Sequence, residues 1–121
     1  MGKKPSKDVR RRYPRFPLDV DVLVKLFGPE GLSDFRGRSF ELGQNGLGAM
    51  LAGEISPGEV VTLELTLPAS ETPLMLRAVV RYRDGLRHGF EFLGRDESQQ
   101  EVIRQTCELL AAAKTQKHQL S

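Results

Sequence analysis

Two short segments of the 121-residue chain carry side chains suited to holding a ligand. The first, Arg10 to Phe16, reads RRRYPRF, and its Arg11 and Arg15 stand four apart on a stretch that Pro14 and Pro17 keep out of a helix. Guanidinium groups are planar, permanently charged, bidentate toward phosphate and able to stack on a purine face, so a cluster of them suits a phosphorylated base. The second segment, Glu41 to Met50, reads ELGQNGLGAM. Its glycines let backbone amides approach a ligand closely, and its carboxylate can accept hydrogen bonds from one. Taken singly, the two segments also fit an exposed basic arm and an ordinary β-turn.

The chemistry of catalysis is sparse by comparison. His88 falls inside an apolar stretch and His118 near the C-terminus, neither at ligand spacing from another His, Cys or carboxylate pair, so no metal site is expected. No nucleophile elbow or phosphate loop occurs, and Gly46 and Gly48 do not complete a dinucleotide fingerprint. No catalytic residue is assigned, and binding is the expected activity. The single cysteine, Cys107, cannot close an intramolecular disulfide and reads as a small packed hydrophobe.

Charge is unevenly spread. Residues 1–16 hold seven basic side chains against Asp8 alone, a local net of +6, whereas the rest of the chain has 11 basic and 15 acidic residues. Such an arm suits an anion. At 39% hydrophobic and 28% charged, the composition is that of one globular domain, which excludes a large multi-domain enzyme and a fibrous chain. Apolar runs such as Leu74 to Leu76 and Leu109 to Ala113 fall far short of the roughly 20 residues that cross a bilayer. The N-terminus lacks the apolar region of a secretory signal, so a cytoplasmic location is expected.

The elements that must position these residues follow from hydrophobic periodicity. Alternation of Leu18, Val20, Val22, Val24 and Leu26 with polar residues predicts a first strand, and Gly28-Pro29-Glu30-Gly31 a turn. Further strands are expected at Phe35–Leu42, Leu47–Leu51, Val61–Leu67, Leu74–Arg83 and Leu86–Leu93, the last two joined at Asp84-Gly85. Phe40 and Tyr82 read as core residues. After Gly94 the period becomes helical: Val102, Thr106, Leu109, Leu110 and Ala113 draw one stripe over about Asp96 to Ala113. Asp96 with Gln99, and Ser98 with Glu101, are both capping-box spacings. The division expected is a flexible basic arm over 1–9, a domain over 10–114 and a frayed tail over 115–121.

In their order on six strands and one helix, the two segments resemble the PilZ domain family, bacterial receptor domains for cyclic di-GMP. The family's first motif is Arg-x-x-x-Arg before the first barrel strand, and its second is Asp/Asn-x-Ser-x-x-Gly after the second strand. Arg11 and Arg15 fit the first, with Arg10 and Arg12 beside them, and the likeness runs from about Asp8 to Ala113, including Gly89-Phe90-Glu91-Phe92. In the second, Glu41 stands at the Asp/Asn position, Gly43 at the Ser position and Gly46 at the Gly position, so only Gly46 is a strict match.

The resemblance implies an all-β fold, a small six-stranded antiparallel barrel of split-barrel type with one C-terminal amphipathic helix. It implies that Arg10, Arg11 and Arg15 grip phosphates and guanine, that Glu41 reads a guanine edge, and that Gly43 and Gly46 admit a phosphate. Gly43 lacks the hydroxyl, a hydrogen bond of roughly 0.5 to 1.5 kcal/mol, while its backbone amide is expected to remain available. The implied function is a non-catalytic receptor with cyclic di-GMP as ligand and no cofactor, either monomer or homodimer, acting on a downstream protein partner of unknown identity. Two alternatives remain: a PilZ-type adaptor that binds no nucleotide, and a small-barrel nucleic-acid binder. The latter is disfavoured by two Tyr, six Phe and no Trp, too few for a stacking platform.

Overall fold

The computed structural model describes residues 13–120, with side chains through Lys114. The expected arm over 1–9, together with Arg10, Arg11 and Arg12, lies outside the described residues. Among the described residues, seven strands and one helix follow in order: β1 (Phe16–Pro17), β2 (Asp21–Gly28), β3 (Gly31–Leu42), β4 (Gly46–Leu51), β5 (Val60–Leu65), β6 (Leu74–Asp84), β7 (Arg87–Leu93) and α1 (Glu97–Leu120). The antiparallel order β3-β2-β5-β6-β7-β4 returns to β3 through the β3–β4 pairing, closing a six-stranded barrel, with β1 as an additional short strand on β3. Closure removes the exposed edges that an open sheet of this size would present.

Alternation explains the barrel's filling. Val22 and Val24 from β2, Leu47, Ala49 and Leu51 from β4, Val61, Leu63 and Leu65 from β5, and Phe90 and Phe92 from β7 all point inward and are buried. Each such aliphatic or aromatic side chain contributes about 1.5 to 3 kcal/mol by leaving water. His88 belongs to this interior with no exposed surface, accepting from the Ile55 N–H through Nε2 at 3.0 Å and donating through Nδ1 to the Leu86 carbonyl at 2.8 Å. It is a structural staple between β7 and the segment after β4.

Three expectations change. The first strand is interrupted: β1 and β2 lie along the same side of β3, and between them the Ser39 hydroxyl accepts from the Val20 N–H at 3.0 Å and donates to the Leu18 carbonyl. Phe40 and Tyr82 are not core residues. A bulge between Ser39 and Glu41 and another between Val80 and Tyr82 break the period-2 parity, turning both rings onto the outer wall, where Tyr82 is 42% exposed. The helix stripe is also rotated: Ile103, Thr106 and Cys107 are buried against the barrel, with Val102 and Leu110 partly so, while Leu109 is exposed.

The capping box forms at Asp96, whose carboxylate accepts from the Gln99 N–H at 2.8 Å while the Gln99 side chain accepts from the Asp96 N–H at 3.1 Å. These bonds, the Gln99 amide first and the Ser98 hydroxyl next, hold the Asp96 carboxyl below its usual range. The helix continues past Ala113 to Leu120.

Candidate functional site

The site is assembled where β1 meets the β3–β4 connection. Pairing of Phe16 with Leu42 and Pro17 with Glu41 carries Arg15, one residue before β1, to a place beside Gly43. Its Nη1 donates to Glu41 Oε2 at 2.8 Å, an ion pair between residues 26 apart in the chain whose side chains are about a quarter exposed (28% and 25%). The pair uses one of the five guanidinium N–H donors and leaves others for an anion. Its position also explains the absence of a side chain at residue 43, since a Cβ there would lie 2.9 Å from Arg15 Cδ and 3.0 Å from the Pro14 carbonyl oxygen.

The connection itself is held at three backbone groups. The Gly43 N–H donates to the Gly46 carbonyl at 2.9 Å, so this amide, expected to be available to a ligand, is already engaged. The Asn45 carbonyl accepts from the Phe92 N–H at 2.9 Å, and the Gln44 carbonyl accepts from Arg95 Nη1. Gly46 is needed for packing, because a Cβ there would fall 2.2 Å from the Phe90 carbonyl oxygen. The turn is therefore preorganised by β7 and the segment leading to α1.

Arg95 is a residue that the sequence alone did not single out. It braces the turn while its guanidinium lies 5.7 Å from the Phe92 ring centroid, and its Nε is buried without a partner. On the helix side of the turn, Tyr13, Gln44, Asn45, Arg95, Glu101 and Arg104 line part of an open cleft of about 790 Å³. Glu97 and Glu101 add carboxylates to this lining, Glu101 being ion-paired with Arg104, so the cleft is electrostatically mixed, unlike an anion site.

On the other side of Glu41 lies the outer wall of the barrel. Gly48 of β4 pairs with Glu41 and, across its other edge, with Gly89 of β7, which in turn pairs with Tyr82 of β6. A Cβ at Gly48 would meet the Phe40 ring at 2.6 Å, and one at Gly89 would meet the Tyr82 ring at 2.0 Å, so the two aromatic rings lie over the two glycines. The Arg87 guanidinium covers the Phe40 ring at 4.1 Å from its centroid. No trio of His, Cys, Asp or Glu side chains gathers into a metal-binding group among the described residues.

Comparison with known proteins agrees with this architecture. The chain is similar to the PilZ domain of Escherichia coli YcgR with c-di-GMP (TM-score 0.62, 20% identity, 91% of this chain and 95% of that one). It is also similar to the Bacillus subtilis inhibitor of motility MotI/DgrA (TM-score 0.68, 24% identity, 87% of this chain and 53% of that one). A third likeness is to the K. pneumonia MrkH–c-di-GMP complex (TM-score 0.67, 18% identity, 89% of this chain and 55% of that one). The chain thus spans about half the length of MotI and MrkH. No curated protein sequence matches it. The family model for the PilZ domain matches residues 9–109, covering β1 to β7 and the first half of α1. With that match over most of its length and with its closed six-stranded barrel, the chain belongs to the PilZ domain family.

Proposed function

We propose that this domain is a non-catalytic receptor for cyclic di-GMP, gripping the phosphates with Arg15 and the arginines Arg10 and Arg11 ahead of it, and reading a guanine edge with Glu41. The observation that supports this is the contact of Arg15 with Glu41 at 2.8 Å beside the side-chain-free Gly43, a guanidinium suited to phosphate and a carboxylate suited to a guanine edge side by side at one turn. YcgR and MrkH, similar in fold, are seen with c-di-GMP. No helix of the described residues is long and apolar enough to cross a membrane. A bacterial cytoplasmic setting and a downstream protein partner belong to the same proposal, as they do to any reader of a soluble second messenger.

In the free protein Arg15 is neutralised by Glu41, so the dinucleotide must exchange this pair for two new ones: phosphate on the arginine and guanine N1–H and N2–H on the carboxylate. The exchange is local and reversible. Gly46, retained for packing against Phe90, serves the site by holding the turn's shape.

Titration calorimetry with cyclic di-GMP tests the proposal. Arg15→Ala is expected to weaken binding by about 2 kcal/mol, roughly 30-fold, since hydrogen bonds to charged groups contribute about 1.5 to 3 kcal/mol each. Lys3→Ala should leave binding unchanged. A flat trace for the wild-type protein at high micromolar ligand would place the chain among adaptors that bind no nucleotide.

A further inference from the structure

Closure of the barrel does not extend to the tip of the β2–β3 hairpin. β2 pairs with β5 only at Leu23, Val24 and Lys25, and β3 pairs with β4 only from Gly37 onward, so residues 26–36 pair across the hairpin alone. Its inner face is anchored, since Leu26 and Phe35 pack against the core. Its outer face carries Phe27 and Leu32 directly opposite one another, 80% and 60% exposed.

The ladder fixes which backbone groups of β3 are already bonded. In an antiparallel pair, residues whose N–H and C=O both face the partner alternate with residues whose groups both face away. Gly31 closes the two-residue turn on Gly28, and the Ser39 N–H donates to the Val20 carbonyl just before β2, so from Gly31 to Ser39 the odd-numbered residues of β3 face β2. Leu32, Asp34 and Arg36 therefore face the other way. The Arg36 carbonyl accepts from the Ala52 N–H at 2.9 Å, but Leu32 and Asp34, both exposed, have no strand beside them on that side among the described residues. Edges of this kind are usually blunted by proline, a bulge or a lysine. This one instead carries charges of both signs, Glu30 and Arg36, each exposed and without an ion-pair partner among the described residues.

We propose that a second copy of this chain adds to this edge of β3, antiparallel and two-fold about Ser33. Such pairing sets Leu32 opposite Asp34 of the second copy, and the reverse, so the outward N–H and C=O groups of both residues find partners in both copies. It also brings Glu30 of each copy opposite Arg36 of the other. Neighbouring registers fail. A shift by two residues one way sets Glu30 against Asp34; the other way it sets Asp34 against Asp34 and asks for the Arg36 carbonyl that Ala52 already holds. Shifts by one would face groups that are bonded to β2. In the register left, the Leu32 side chains are diagonal neighbours and extend the apolar pair with Phe27 across the four strands, while each Asp34 stands opposite Lys25 of its own β2. Glu41 lies at the far end of β3, about 25 Å from Ser33 by strand rise, so both candidate ligand sites stay open. The pairing does not depend on the nucleotide reading.

The test is sedimentation velocity on the full chain without nucleotide, from micromolar to millimolar protein. A contact of one strand edge is small, so a reversible dimer that grows with concentration is expected. Glu30→Arg and Arg36→Glu should each weaken association by about tenfold, because the two-fold counts every lost pair twice and sets like charges face to face. The double variant, with the charges exchanged, should associate like wild type. By amide hydrogen exchange in NMR, Leu32 and Asp34 should gain protection as wild-type concentration rises, whereas Ser33, bonded to β2, should not change. Wild type that stays monomeric throughout overturns the proposal. So does a dimer that both single variants form normally, or one that the double variant does not recover, because the contact then lies elsewhere. Thermal melts check that the variants fold; should one fail to, the exchange pattern of the wild type decides, and unchanged Leu32 and Asp34 amides in a dimer refute the edge.

Discussion

Gly43→Ser restores the hydroxyl that the family's second motif carries, and the structure assigns its effect a sign. Gly43 has no positive φ, so a side chain meets no backbone strain. The new Cβ would instead lie 2.9 Å from Arg15 Cδ, 3.0 Å from the Pro14 carbonyl oxygen and 3.1 Å from Arg15 Nε, so Arg15 must swing away from Glu41. Losing a pair whose side chains are about a quarter exposed costs roughly 1 kcal/mol. Replacing glycine at a compatible φ returns about 0.4 to 1 kcal/mol by restricting the unfolded chain. The two effects nearly cancel in the melting temperature.

Binding affinity does not share that cancellation, because the unfolded state is absent from the binding equilibrium. If cyclic di-GMP takes Arg15 from Glu41, the variant has already spent the roughly 1 kcal/mol that the wild type must spend on binding, and the hydroxyl adds about 0.5 to 1.5 kcal/mol in the complex. The expected result in calorimetry is a tightening of about ten- to seventyfold at an almost unchanged melting temperature. Unchanged or weaker binding at the same stability would refute the exchange of partners, because it would mean that Arg15 stays over Gly43 in the complex.

Other perturbations address the scaffold. His88→Ala should destabilise the fold by about 3 kcal/mol in urea unfolding, because it opens a cavity and orphans the buried Ile55 N–H and the Leu86 carbonyl. Asp96, whose pKa is lowered in the fold chiefly by the Gln99 amide, stabilises the helix fully above the ordinary carboxylate range, and this contribution is lost as pH falls through the depressed value. Asp96→Asn should therefore melt below wild type at pH 7, and the gap should narrow progressively on acidification below the ordinary carboxylate range, as followed by circular dichroism. Burial pushes the Cys107 thiol up, and with 4% of the residue exposed it should react with a thiol reagent at pH 8 only at the rate of unfolding. Rapid labelling of the native protein would show that α1 detaches from the barrel.

Local pattern was enough for much of this protein. Alternation along Val22–Val24, Val61–Leu65 and Leu76–Val80 specifies half-buried strands because a strand's side chains alternate faces whatever lies around it. Asp96 and Gln99 mark the start of α1 because capping depends on residues three apart. The spacing of Arg11 and Arg15 and the glycines after Glu41 pointed to a phosphorylated base, since those chemistries are written in residue type. What the sequence left open was parity and contact. The bulges at Phe40 and Arg81 add one residue to one strand of a pair, which depends on the partner strand's register and leaves no local mark, so two rings expected in the core stand on the wall. The Gly43 amide, expected to be free, is bonded to Gly46, and the Arg15–Glu41 pair spans 26 residues. Such contacts exist only once barrel closure and the β1–β3 pairing bring the segments together, because they are made across space between strands that no periodicity relates.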